Sequence, residues 1–285
     1  MHPGLTLINL KFFHDTAQRL SVSEAAKHNF VTQSAISQAI LKLEKALQCD
    51  LTNHNKYRLK LTAEGEIAFK EIQKIFRSLK ELQDKLLEQH QQISGSLHLA
   101  ITPSIAIHLL PRVIQKMQKN YPDVSITMRI GHPEQIRNDL KTGLVDLGLV
   151  LEHENFISFE QKPLHSGTFC IYSKGGKLHD GLFVDSRKNS FVKSLQKIYA
   201  KKYKQELPIL AELDSWEVVA RFVDNGLGSG FIPDYLLSQY PNLTAIQNKE
   251  LSVPYTIVAV YNPGDILSRA ARSFLEIWSA SHIKT

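Results

Sequence analysis

The sequence predicts an α/β protein in three parts: an all-helical N-terminal region, one long connecting helix, and a pair of α/β lobes side by side. Three observations predict it. The first sixty residues place their apolar positions at helical spacing. The stretch from Glu64 to Ile93 contains no proline and a single glycine, Gly65. From Leu97 onward, short apolar runs alternate with amphipathic segments. A chain of 285 residues accommodates roughly two domains, and 43% hydrophobic with 22% charged residues excludes a disordered or fibrous chain. The formal charge of +6 is unevenly spread: eight bases and four acids fall at or before Leu61, so that short stretch carries +4. A positive balance confined to one region points to an acidic partner for that region.

Leu5, Leu7, Ile8, Leu10, Phe12 and Phe13 open an apolar pattern that runs through Ala17 and Leu20, the mark of a helix with one buried face. Ser23, followed by Glu24, Ala25 and Ala26, reads as the N-cap of a short second helix ending near Phe30. Thr32 caps a longer third helix, TQSAISQAILKLEKAL. Its stripe of Ala35, Ile36, Ala39, Ile40, Leu43 and Leu47 leaves Gln33, Ser34, Ser37, Gln38 and Lys42 on or near the other face. Short helix, tight turn and longer helix form a helix-turn-helix pattern. A small helical bundle with Ser and Gln on its surface has the same periodicity, but two further features favour nucleic acid. Short hydrogen-bonding side chains on the exposed N-terminal turns suit base edges in the major groove. The following NHNKYRLKLT, a hairpin or loop, brings Lys56, Arg58 and Lys60 to phosphate contacts.

The stretch from Glu64 to Ile93 predicts a helix about 45 Å long. Ala68, Ile72, Ile75, Leu79, Leu82 and Leu86 recur at steps of four and three, the spacing of a coiled-coil seam. Ile72, Ile75, Leu79, Leu82 and Leu86 are therefore expected to meet a second copy of the chain, although the same narrow stripe also suits a helix packed on its own domain. Ile93-Ser94-Gly95-Ser96 marks a domain boundary.

Beyond it, LHLAI, VSITMRI and VDLGLVL read as strands separated by helices, one of them spanning Ile105 to Tyr121. GTFCIYS, LPILAEL, the strand after GLGSG and TIVAVY form a second set, and Leu267 to Ser281 reads as a terminal amphipathic helix. The sheet is expected to be mainly parallel, with a cleft between the lobes. In such sheets ligands bind beyond the C-terminal ends of strands, near helix N-termini. Thr102, Ser104, Gly131, His132, Ser215 and Trp216 occupy such places, and Thr102, Ser104 and Ser215 serve equally well as plain helix caps. Pro103 removes one N–H donor, and Asp214 repels a carboxylate.

His132, His153 and His165 fit no metal-ligand spacing, and no nucleophile elbow, phosphate loop or zinc-protease motif occurs, so neither a cofactor nor catalysis is expected. GLGSG at 226–230 is expected to make a tight turn. Cys49 and Cys170 lack metal or disulfide-framework spacing, which fits a reducing cytosol. Neither a secretory leader nor a membrane span is expected.

Ala25-Ala26, Gln33-Ser34-Ala35, Ser37, Leu43-Glu44, and Leu61-Thr62 with Gly65 together resemble the winged helix-turn-helix of LysR-type transcriptional regulators. GSLHLAI, LKTGLVDLGLV and VARFVDNGLGSGFIP are similar to that family's effector-binding region. The chain departs from the family where Leu-Gly normally ends the third helix, here Leu47-Gln48, and where an arginine normally follows, here His54. The resemblance implies a winged helix at 1–62, a linker helix at 63–94 and a regulatory domain at 95–285. That domain would resemble periplasmic solute-binding proteins, with lobe I at 96–163 plus 263–285, lobe II at 164–262, and crossings near Pro163 and Asn262. It also implies base contacts from Gln33, Ser34, Ser37 and Gln38, and phosphate contacts from Thr32, Lys42, His54, Lys56, Arg58 and Lys60. The implied partners are duplex DNA, a second copy in a homodimer or pair of dimers, a small-molecule effector and RNA polymerase, in the cytoplasm.

Overall fold

A computed structural model describes residues 2–55, 58–87, 93–152, 156–246 and 249–281. The chain divides into two compact units, residues 1–91 and 92–285.

In the first unit, α1 (Leu7–Arg19), α2 (Val22–Asn29) and α3 (Gln33–Leu47) precede a hairpin of β1 (Thr52–Asn55) and β2 (Arg58–Leu61), then α4 (Ala63–Leu87). Each of the first three helices begins at a side chain that accepts a backbone N–H. Thr6 Oγ1 accepts from Asn9, Ser21 Oγ from Glu24, and Thr32 Oγ1 from Ala35. The cap of α2 is thus Ser21, two residues before the expected Ser23, and Ser21 with Glu24 has the spacing of a capping box. Leu10, Phe13, Ile36, Ile40, Leu43 and Leu51 form the core between α1, α3 and the hairpin. All three helices end on non-glycine residues in the left-handed region: Leu20 (φ 49°), Phe30 (φ 55°) and Gln48 (φ 57°). The expected turn at Leu47-Gln48 is there, made without the glycine that would adopt it freely.

The second unit is built on one sheet of nine strands. On one side β3 (Gly95–Ile101), β4 (Val124–Ile130) and β5 (Leu147–Leu151) are parallel, and on the other β7 (Leu182–Val184) lies parallel to β8 (Ile209–Glu212) and β9 (Ser229–Pro233). Joining the halves are β6 (Glu160–Lys174) and β11 (Val253–Tyr261), mutually antiparallel, with β10 (Leu243–Ala245) on the edge of β6. The sheet is therefore mixed, not mainly parallel, because both connecting strands run antiparallel to their neighbours β5 and β9. The return crossing falls inside β11, since Val258–Val260 already pair with β5, upstream of the expected Asn262.

The predicted helix over Ile105–Tyr121 is two helices, α5 (Pro103–His108) and α6 (Leu110–Asn120), broken at Leu109. Pro111 follows the break and lacks the N–H that would continue a helical ladder. α7 (Pro133–Lys141), α8 (Ser190–Tyr203), α9 (Trp216–Asp224) and α10 (Arg269–Ala280) complete the layers. Leu97, Leu99 and Ile101 are buried in one core cluster, and Ala100, between them in sequence, in another with Ile136 and Leu140. Both faces of that half of the sheet are thus covered. GLGSG turns as expected: Gly226 takes φ 77° after α9, and a Cβ at Gly230 would collide with Val219 and Val223, so glycine there lets α9 lie close on β9.

Candidate nucleic-acid interface and inter-lobe cleft

On α3, Ile36, Ala39, Ile40 and Leu43 are buried, whereas Thr32, Gln33, Ser34, Gln38 and Lys42 are exposed and Ser37 is half-buried. The helix thus presents a polar face to solvent over its first two turns. Thr32 uses its oxygen as an acceptor for the cap, which leaves its hydroxyl hydrogen free to donate. Phe30, the residue that ends α2, is 96% exposed and left-handed. Nothing in the periodicity marked it, because it lies between two helices.

Glu44, on the same helix, fixes the hairpin. Its Oε1 accepts from Leu51 N (2.8 Å), Thr52 N (3.1 Å) and Thr52 Oγ1 (3.2 Å). Removing this carboxylate strands two amides, so Glu44→Ala is expected to cost about 1–3 kcal/mol and to speed amide exchange at Leu51 and Thr52. Unchanged exchange at both would refute the role. At the other end of the hairpin, Thr62 Oγ1 donates to Asp50 O (2.6 Å) and accepts from Gly65 N (2.9 Å), turning β2 into α4. Lys60 is exposed on β2 opposite Asn53. His54 and Arg58 have their backbones on β1 and β2. Their side chains, and Lys56 altogether, lie outside the described residues.

The root of α4 is clamped onto α1. Asp15 accepts from Lys11 Nζ (2.9 Å) and Asn29 Nδ2 (2.8 Å), with His14 Nδ1 at 3.3 Å and Arg19 at 4.0 Å. Burial alone would raise its carboxyl, but the hydrogen bonds from His14, Asn29 and Lys11 outweigh this and hold it well below the usual carboxylate range. His14 in turn stacks on Phe69 (5.2 Å) and meets Phe76 edge-on (5.7 Å). Ile72, 3% exposed, belongs to this core. This corrects the expectation that it lies in an intersubunit seam, because its apolar surface is already covered within the chain. Ile75 and Leu82 are exposed, Leu79 is half-buried, and the Leu86 side chain lies outside the described residues.

In the second unit a cavity of about 590 Å³ opens between the two halves of the sheet. Thr102 and Ser104 at the start of α5, His132 before α7, and Ser215 and Trp216 at the start of α9 all line it. Gly131 is not among the lining residues, and its N–H is donated to Ile101 O. Ser104 Oγ is 2.8 Å from Tyr235 Oη, and Ser215 Oγ accepts from Val218 N, so both have structural partners. Thr102 Oγ1 and Trp216 Nε1 are buried without a hydrogen-bond partner. His108 Nε2 lies 2.7 Å from Glu217 Oε1, tying α5 to α9 across the floor of the cleft.

Residues 7–66 match the model of the bacterial regulatory helix-turn-helix protein, lysR family, and residues 90–281 match the LysR substrate binding domain. The chain belongs to the LysR family. A relative along its full length is the HTH-type transcriptional regulator YoaU of Bacillus subtilis, 24% identical over 97% of this chain and 98% of that one. A full-length OxyR from Pseudomonas aeruginosa superposes with a TM-score of 0.74 at 17% identity, covering 98% of this chain and 96% of that one. A DNA complex of Vibrio fischeri DarR gives 0.56 at 17%, covering 96% and 98%. This LysR-type protein is a transcriptional regulator with a helix-turn-helix DNA-binding region and an effector-binding region, not an enzyme. Among the described residues, no helix is long and apolar enough to cross a membrane. Sequence reasoning named Asp214 and Trp216 but missed Glu134, Asp185, Phe191 and Glu217, because they were read only as parts of helices and connections.

Proposed function

We propose that this LysR-type regulator reads duplex DNA in the cytoplasm with α3. Gln33, Ser34, Ser37 and Gln38 meet base edges, while Thr32, Lys42 and the hairpin residues His54, Lys56, Arg58 and Lys60 meet phosphates. The observation that carries this reading is the division of α3, with one face sealed in the core and the first two turns of the other polar and exposed. Glu44 and Thr62 support it by holding the hairpin beside that face. Exposed Ile75 and Leu82 on α4 support association with a second copy, which would present two α3 helices to two half-sites. A small molecule in the inter-lobe cleft modulates binding, supported by the cavity and by its two unpartnered polar atoms.

Genome-wide mapping of bound DNA would supply the preferred sequence. On it, Lys42→Ala is expected to weaken preferred and random duplexes alike and to lower the salt slope by about 0.9. Gln33→Ala is expected to cost roughly 1–3 kcal/mol on the preferred site alone. An unaltered salt slope in Lys42→Ala would remove that residue from the phosphate contacts.

A further inference from the structure

The electrostatics of the cleft say which class of small molecule it takes. Four carboxylates, Glu134, Asp185, Asp214 and Glu217, line it against the single ammonium of Lys188 and the imidazole of His132, and of the four Glu217 is already engaged by His108. Anions in this type of fold rely on free N–H groups at helix starts, and each of the four helix starts around this cleft has lost one of them. α5 and α7 open with Pro103 and Pro133, which have no N–H. The starts of α8 and α9 are capped by their own side chains, Phe191 N donating to Asn189 Oδ1 and Val218 N to Ser215 Oγ. Asp185 accepts one hydrogen bond, from Asn189 Nδ2 at 3.0 Å, and the backbone N–H of Asp214 is donated to Asp185 O, which brings the two acids together. Burial pushes the Asp185 carboxyl up, Asn189 pulls it down, the Asp214 charge pushes it up again, and His132 pulls it down. It is an acid short of a cation.

The apolar side of the cavity is aromatic. Trp216 and Phe191 line it with their rings 6.5 Å apart, edge to face. Aromatic faces attract cations as well as apolar groups. Thr102 Oγ1, buried and unpartnered, can accept from a donor on the ligand, whereas Trp216 Nε1, buried and unpartnered, donates only and calls for an acceptor on the ligand's body rather than its charged head.

We infer that the cleft takes a small organic cation, an amine, guanidinium or amidinium, with its charged head against Asp185 and Asp214 and its body against Phe191 and Trp216. This inference rests on the reading of the cleft as the effector site. A carboxylate placed there meets the acids instead.

Three near-isosteric probes test the charge preference in the full-length protein: benzamidine (cation), benzamide (neutral) and benzoate (anion). Binding is followed by fluorescence of Trp216, with Trp278 buried in α10 as the internal background. Benzamidine is expected to bind about tenfold more tightly than benzamide, and benzoate more weakly than either. Asp185→Asn combined with Asp214→Asn is expected to erase the difference between the first two at an unchanged unfolding midpoint. If the double substitution also lowers the midpoint, Asp214→Asn alone, on an exposed residue, must still reduce the preference. Benzoate binding as tightly as benzamidine overturns the inference and leaves the effector site standing. Binding by none of the three overturns both.

Discussion

Gly65→Ala is expected to cost about 3 kcal/mol. A Cβ at this position falls inside the contact distance of Leu51 O and 2.9 Å from the carbonyl carbon behind it. The obstacle is backbone, so no rotamer change relieves it. Leu51 cannot step aside either, since its carbonyl accepts from Thr62 N (3.1 Å) and its N–H is held by Glu44. Moving it would break the junction where recognition helix, hairpin and α4 meet. For a unit of about ninety residues, 3 kcal/mol corresponds to a fall of roughly 15 °C in its unfolding midpoint, measurable by circular dichroism of the full-length protein. DNA affinity should fall with it. A midpoint within 2 °C of the parent would show that the close approach is not tight.

Asp15→Ala is expected to cost about 3 kcal/mol at neutral pH, because it removes the common acceptor of Lys11, Asn29 and His14 and leaves them facing a buried gap. The effect carries a pH signature. The carboxyl is held down in the folded protein relative to an unfolded value near 3.8. Its contribution is therefore fully present above that value and is lost as pH falls through the lower, folded one. The gap in stability between parent and Asp15→Asn should close progressively below pH 4. A gap that widened below pH 4 would refute the network.

The helices of the DNA-binding unit were legible because local rules acted in one direction: apolar spacing, Ser or Thr caps, and polar residues on the remaining face. The error at α2 came from two serines two residues apart, of which only Ser21 has a glutamate three residues on. The stripe of α4 was legible as a stripe but not in its destination. Ile72 obeys the same period whether it packs in the core of its own chain or on a partner, and the core cluster claims it. β6 was legible as a strand only from Gly167 (GTFCIYS), since EQKPLHS before it carries a proline and several polar residues. Pairing accommodates them, because Pro163 faces Val258 where the register slips past Leu164, an irregularity that relieves a strand of the N–H a proline cannot give. The cleft was legible at its helix starts, through Thr102 and Ser215. Its charge was not, because Asp185, Glu217 and Glu134 come together only through the tertiary structure.

That irregularity in the β6–β11 ladder has a mechanical meaning. No loop joins the lobes at this ladder; two continuous strands do, paired from Val253 to Tyr261. Any closing of the cleft must therefore be a twist of a stiff ribbon, concentrated where the rungs are already out of step between Ile257 and Val258. A ligand that drew the two lobes together would therefore have to work against the ladder itself and not against a slack connection.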